Sequence, residues 1–300
     1  MRFPVLLLAA APLLLGNADP AAIPPQIKAM LDAAMASGNE GEVATIVKYA
    51  SDADKDNADA IRKVVADWKK SRDDAKTERI HQASILDLWS GKAELGGYIS
   101  TGNSETEGVS ASLDLVRDGL EWRNKLKLQL DYQRSLGVTT REHYLAAYEP
   151  NFKVSDRGYI YGSAQYESDR FLGYTDRYSA SVGAGYSVLK GGTTKLDLEL
   201  GPAYRSTRYT EADVGSQSSI AARGSVDFAV QLIHGLSLTQ SGSAYLERYN
   251  STVTGTTALN AKLLGPLAAQ FSYNFQYESV PPVGGAKTDT ITRAGLSYSF

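Results

Sequence analysis

Residues 120–134, LEWRNKLKLQLDYQR, alternate with a period of two. Leu120, Trp122, Leu126, Leu128, Leu130 and Tyr132 fall on one face, and Arg123, Lys125, Lys127, Gln129, Asp131 and Gln133 on the other. A strand puts successive side chains on opposite faces, so this segment reads as a strand with one apolar and one strongly polar face. Wound as a helix, it would scatter its lysines around every side. The pattern returns at 195–204, where Leu196, Leu198, Leu200, Pro202 and Tyr204 oppose Lys195, Asp197 and Glu199. It returns again at 270–278, where Phe271, Tyr273, Phe275 and Tyr277 oppose Gln270, Ser272, Asn274, Gln276 and Glu278.

Polar and glycine-rich breaks divide the rest of this region. Short ones lie at 118–119, 154–158, 191–192, 234–235 and 265–266. Mostly longer ones lie at 102–105, 135–140, 171–176, 210–217, 250–255 and 279–287. They alternate along the chain and separate twelve strands. An even number of long strands joined alternately by short turns and longer loops is the pattern of an antiparallel transmembrane β-barrel of the outer-membrane type. A soluble sandwich or lipocalin-like barrel is the competing architecture. It would fill its apolar faces with Val, Ile and Leu, whereas these faces are rich in Tyr, Ala and Gly. Its strands would also be shorter. Pro202 falls mid-strand, where a closed barrel needs each N–H paired, and a local bulge is expected there.

Composition shifts near Trp89. Of 18 tyrosines only Tyr49 precedes it, and of 27 glycines only Gly16, Gly38 and Gly41 do. The first residues read as an export signal: Arg2, then the apolar run at 5–15, then small residues, with cleavage expected after Ala18. Residues 19–88 form a periplasmic helical segment in this reading. Helical spacing recurs at Ile27, Met30, Leu31 and Ala34, then at Val43, Ile46, Val47 and Ala50, then at Ile61, Val64, Val65 and Trp68. Two or three amphipathic helices follow, closer to a solvated linker than to a docking module. The barrel takes residues 89–300. With an even strand count its two ends lie on the short-turn, periplasmic side, as does the helical segment.

Net charge is −3, which gives no basic footprint for nucleic acid, and there is no cysteine for a disulfide or a thiol nucleophile. His81, His143 and His234 are spread too widely to share a metal, and no cofactor is expected. Asp169 and Asp176 lie near His143 at the outer end and read as solvated loop charges. No serine has a placed base, so an enzyme is not expected, and an outer-membrane hydrolase ranks third among the functional readings. Inward parity falls on Lys92, Glu94, Arg123, Lys125, Lys127, Asp131, Glu149, Lys195, Asp197, Glu199, Arg223, Asp227, Lys262 and Arg293. Asp197 and Glu199 are placed to pair across the lumen with the stripe Arg123, Lys125 and Lys127. Two readings fit such a lining: a polar, porin-like passive channel for small solutes or ions, or a structural or adhesive barrel shut by its own salt bridges. Twelve strands lie between filled eight-stranded barrels and wide sixteen-stranded porins, so strand number leaves both open.

The chain ends on AGLSYSF, with Leu296, Tyr298 and Phe300 alternating with small polar residues. A last strand that closes a barrel against the first places such a ring at the lipid interface. This ending resembles the signal that Gram-negative outer-membrane proteins present to the barrel-insertion machinery. It implies outer-membrane lipid, periplasmic chaperones and that machinery as partners. The region 90–300 as a whole resembles the YdiY-type family of salt-induced outer-membrane proteins, a domain of unknown function. TGNSET at 101–106, with Gly102, Asn103 and Ser104 as its hairpin motif, carries the likeness. So do YESDRFLGYTDRY at 166–178, GPAYR at 201–205, VPPVGGAKTDT at 280–290 and the final YSF. The resemblance implies a barrel in the outer membrane and brings no substrate with it.

Overall fold

The computed structural model describes residues 23–84, 86–97, 106–211, 213–281 and 286–300 in full, and residues 98–100 as backbone. The expected export signal at 1–18 and the hairpin motif Gly102, Asn103 and Ser104 lie outside the described residues. The chain divides into two compact units between Gln82 and Ala83.

The first unit holds three helices: α1 (Pro25–Ser37), α2 (Glu40–Ala53) and α3 (Ala58–Gln82). Gly38 ends α1 with a left-handed φ of 72°, and the Asn39 side chain caps α2 by accepting from the N–H groups of Gly41 and Glu42. This pairing of a left-handed glycine with a following cap turns the chain sharply between two helices. Leu31, Ala34, Val43, Ala50, Ile61 and Val65 form a small core, with Ile27, Val47 and Trp68 packed against it. A shared core across three helices is more than a solvated linker would build. Met30 and Val64, expected on the apolar stripes, are exposed.

The second unit is a closed antiparallel barrel of twelve strands. They are β1 (Trp89–Ser100), β2 (Thr106–Asp118), β3 (Trp122–Ser135), β4 (Val138–Lys153), β5 (Gly158–Asp169), β6 (Tyr174–Lys190), β7 (Thr194–Tyr209), β8 (Ser216–Ile233), β9 (Leu236–Glu247), β10 (Thr252–Leu264), β11 (Leu267–Glu278) and β12 (Thr288–Ser299). Each pairs with its sequence neighbours, and β12 returns to β1 from Lys92↔Ser299 to Gly96↔Gly295. Closure pairs the first strand with the last over these five positions, and a ring without free end strands is what can stand in hydrocarbon. Apolar side chains point outward and stay exposed, as at Leu200 (70%) and Ile220 (81%). A soluble barrel would bury this face; here it meets lipid. The protein spans the outer membrane, with its N-terminal helices in the periplasm.

The outer break at 135–140 is a two-residue turn, because β3 ends at Ser135 and β4 begins at Val138. Leu136 and Gly137 both take positive φ, 49° and 76°, the geometry that joins two twisted strands most tightly. The bulge expected at Pro202 is absent. The β6–β7 register is the same on either side of it, Ser181↔Ala203 and Ala184↔Leu200, and pairing only lapses between them. Proline costs that ladder a hydrogen bond, while its other edge keeps Pro202↔Ala222 with β8. Pro150 interrupts the β4–β5 ladder in the same way, between Tyr148↔Ala164 and Asn151↔Tyr161.

Candidate functional site

The barrel interior concentrates the charge. On β3 the outward face stays apolar, so the register turns Arg123, Lys125 and Lys127 inward as one stripe. Opposite stands β7, whose inward positions include Asp197 and Glu199. Arg123 lies 3.6 Å from Asp197, and Lys125 lies 3.5 Å from Glu199 and 2.8 Å from Glu149. Asp227 is 3.8 Å from Lys125. Arg223 on β8 reaches back to both Glu149 (3.0 Å) and Glu199 (2.9 Å). Lys127 makes no ion pair among the described residues. Lys92 pairs with Glu94, and Gln270 contacts both.

A second layer lies nearer the outer end. Arg293 on β12 donates to Asp131 on β3 at 2.6 Å. His143 on β4 sits between Asp131 and Glu167, each ring nitrogen 3.3 Å from a carboxylate oxygen. Carboxylates only accept, so satisfying both contacts requires N–H on both nitrogens. The Tyr174 hydroxyl donates to Glu167 at 2.7 Å. Arg177 on β6 lies 4.0 Å from Glu167 and donates at 3.0 Å to Glu278 on β11, on the far side of the barrel. Asn250 and Thr252 donate to the other oxygen of Glu278, and Arg205 donates to Thr252 and to Glu247. Four arginines, Arg123, Arg177, Arg205 and Arg223, also lie over tyrosine rings, at 5.1, 3.7, 4.0 and 4.9 Å from the ring centres. Each therefore combines a carboxylate with an aromatic face, the two partners a guanidinium prefers when water is scarce.

These side chains fill the barrel unevenly. Tyr159 and Tyr161 from β5 lie over Gly185 and Gly183 of β6, where a methyl group would fall 2.2 and 2.8 Å from the rings. What remains open is a cavity of about 460 Å³ beside this packed half. No β6 residue lines it, and Arg205 alone represents β7. Its wall follows β12 from Asp289 to Gly295. At about 3.3 Å per residue that is roughly 20 Å along the strand.

Of the interior positions singled out in the sequence, Lys92, Glu94, Lys125, Lys127, Asp131, Glu149, Arg223, Asp227 and Arg293 border this cavity. Arg123, Asp197 and Glu199 do not; they belong to the packed half. Lys195 and Lys262 are exposed near the short-turn end. Asp169, expected as a solvated loop charge, is instead fully buried and caps the 3-10 turn at Arg170–Leu172. Arg141 is its nearest cation, at 4.0 Å. The outer layer of His143, Glu167, Tyr174, Arg177, Arg205, Glu247 and Glu278 was not assigned from the sequence. The inward parity of Glu278 was visible, but parity alone does not say which strands meet across a lumen. Among the described residues, no group of three or more His, Asp or Glu is arranged to hold a metal ion.

The chain is 26% identical over 224 residues to the uncharacterized protein YdiY of Escherichia coli (strain K12), covering 73% of this chain and 86% of that protein. Among solved structures, the NanC porin covers 70% of this chain and all of its own, at 11% identity and a TM-score of 0.46. The translocator domain of the autotransporter NalP from Neisseria meningitidis covers 80% of this chain and 97% of its own, at 12% identity and a TM-score of 0.40. The family model described as a protein of unknown function, DUF481, matches residues 93–300, which is the barrel from within β1 to the last residue. This chain belongs to the DUF481 family.

Proposed function

We propose that this outer-membrane barrel is a narrow passive channel for small polar solutes and ions. The observation that carries this reading is the cavity along β12. Charged and hydroxyl side chains make up much of its lining, and it follows the strand for roughly 20 Å. With strands tilted about 40°, that is about 15 Å of height, against an apolar band about 25 Å tall. A barrel built only for rigidity gains nothing from leaving such a lining unfilled, since dense packing is what stabilises an interior.

The second reading is a structural barrel with a shut lumen. The ion pairs that cross the interior at two levels favour it. Planar-bilayer recording of the refolded protein separates the two. Steady conductance in a simple salt solution is the expected result. Silence from folded, inserted protein overturns the channel and leaves the structural barrel.

A further inference from the structure

We infer that the pair Arg177–Glu278 sets the size limit of the proposed channel: it is the bar that divides the outer half of the lumen and forces solute to one side. The inference rests on the channel reading above and adds to it the residues that fix which solutes pass.

Position comes first. β6 and β11 stand five strands apart around a twelve-stranded ring, so they are almost opposite each other. Most interior pairs in this barrel join nearer strands, as Arg205–Glu247 joins β7 to β9. A bond between near-opposite walls lies across the lumen rather than along it. At 3.0 Å the two side chains leave no room for solute between them.

Rigidity comes second. Arg177 is 1% exposed and Glu278 is 2%. The Arg177 guanidinium lies 3.7 Å over the ring of Tyr174, whose hydroxyl is fixed by Glu167. Glu278 is held by Asn250, Thr252 and Gln276. Asn250 also accepts from the N–H of Val280, which ties the bar to the loop that follows β11. Long side chains free to swing would be poor barriers, because thermal motion would clear the path. These two are held at both ends.

The cavity runs past the pair without touching it. It includes neither Arg177 nor Glu278, and none of its lining comes from β6. Gln276 and Thr252, the neighbours of Glu278, do line it. The open space therefore passes immediately beside the bar. Removing the bar widens that space at the bar's own level, beside the small inward side chain of Ser179, while the level of Gly183 and Gly185 stays filled by Tyr161 and Tyr159.

The test compares R177A/E278A with the unaltered protein in planar bilayers and in liposomes loaded with neutral sugars of graded size. Removing both partners together leaves no lone buried charge from the pair. A second variant, R177M/E278Q, keeps more of the volume and the Asn250 and Thr252 contacts, and it decides the matter if the first does not fold. D118N/K153M, at the short-turn rim, serves as the control. Folding is checked by circular dichroism and heat-dependent gel mobility.

The expected result is a several-fold rise in single-channel conductance and entry of larger sugars for R177A/E278A, with the control unchanged. Folded variants with unaltered conductance and sugar cut-off overturn the inference. If the unaltered protein is silent while the variant conducts, the bar stands as a full closure and the open-channel reading falls. If both are silent, the inference falls as well.

Discussion

Arg177 on β6 and Glu278 on β11 meet at 3.0 Å inside the barrel although the two strands stand on nearly opposite walls. Neither residue is a neighbour of the other in any ladder. Their contact exists only because the sheet closes, and it converts a ring of strands into a cross-braced tube. Braces of this kind are stabilising only when every buried charge is paired. Here the outer layer runs as alternating basic side chains and carboxylates, from Arg293 through Asp131, His143 and Glu167 to Arg177 and Glu278.

The lysine stripe separates stability from selectivity. Lys125 faces Glu149, Glu199 and Asp227, whereas Lys127 borders the cavity without an ion pair among the described residues. Lys125→Glu should place a fourth carboxylate among three and destabilise the barrel by about 3–5 kcal/mol, the usual effect of breaking a buried pair. Lys127→Glu should melt like the unaltered protein and shift the reversal potential in a salt gradient toward cation preference. Thermal melts in detergent beside bilayer recordings check both. Equal melting of the two variants would contradict the pairing.

The last residue lies in the closing seam. The Phe300 N–H donates to the Gly91 carbonyl, and the Gly91 N–H donates to the Phe300 carbonyl. Leu296, Tyr298 and Phe300 present their side chains outward. Phe300→Ser keeps the backbone pair and loses only the ring. It should lower the amount of inserted protein in outer-membrane fractions while leaving the melting of whatever inserts nearly unchanged. Normal levels in those fractions would remove Phe300 from any role as an insertion signal.

Strand count and closure fix the topology. A short epitope placed after Asp213 or after Ser279 should be labelled on intact cells. One placed at Gly192 or at Gly235 should be labelled only after the outer membrane is opened. Labelling in the opposite sense would invert the barrel.

Backbone approach limits substitution at one glycine more than at another. A methyl group on Gly201 would fall 2.2 Å from the Val182 carbonyl, a backbone atom that cannot swing aside. On Gly224 its nearest neighbours would be 3.9 Å away. Gly201→Ala should cost about 1–3 kcal/mol, the range for overpacking a filled interior, and Gly224→Ala much less. Melting of the two variants side by side gives the comparison.

The sequence by itself determined whatever depends on neighbours along the chain. The alternation in 120–134 assigns each β3 side chain to lipid or lumen, because the pleat has a period of two. The spacing of breaks yields twelve strands, and an even count returns both ends to one side. Helical spacing in the first unit marks two or three helices and their core residues Leu31, Val43 and Ile61, and the structure makes them three. The same local logic misjudged the turn at Leu136–Gly137, since polar composition does not separate a tight turn from a loop. It misjudged Pro202 too, since a barrel can drop a ladder bond without shifting register. What only the tertiary structure decided is what faces what. Parity places Glu278 inside but leaves Arg177 unassigned and says nothing of the distance between β6 and β11. That distance follows from closure and from the tyrosines of β5 lying over the glycines of β6. Those two facts pack one half of the lumen, leave the other open, and join residues 101 positions apart.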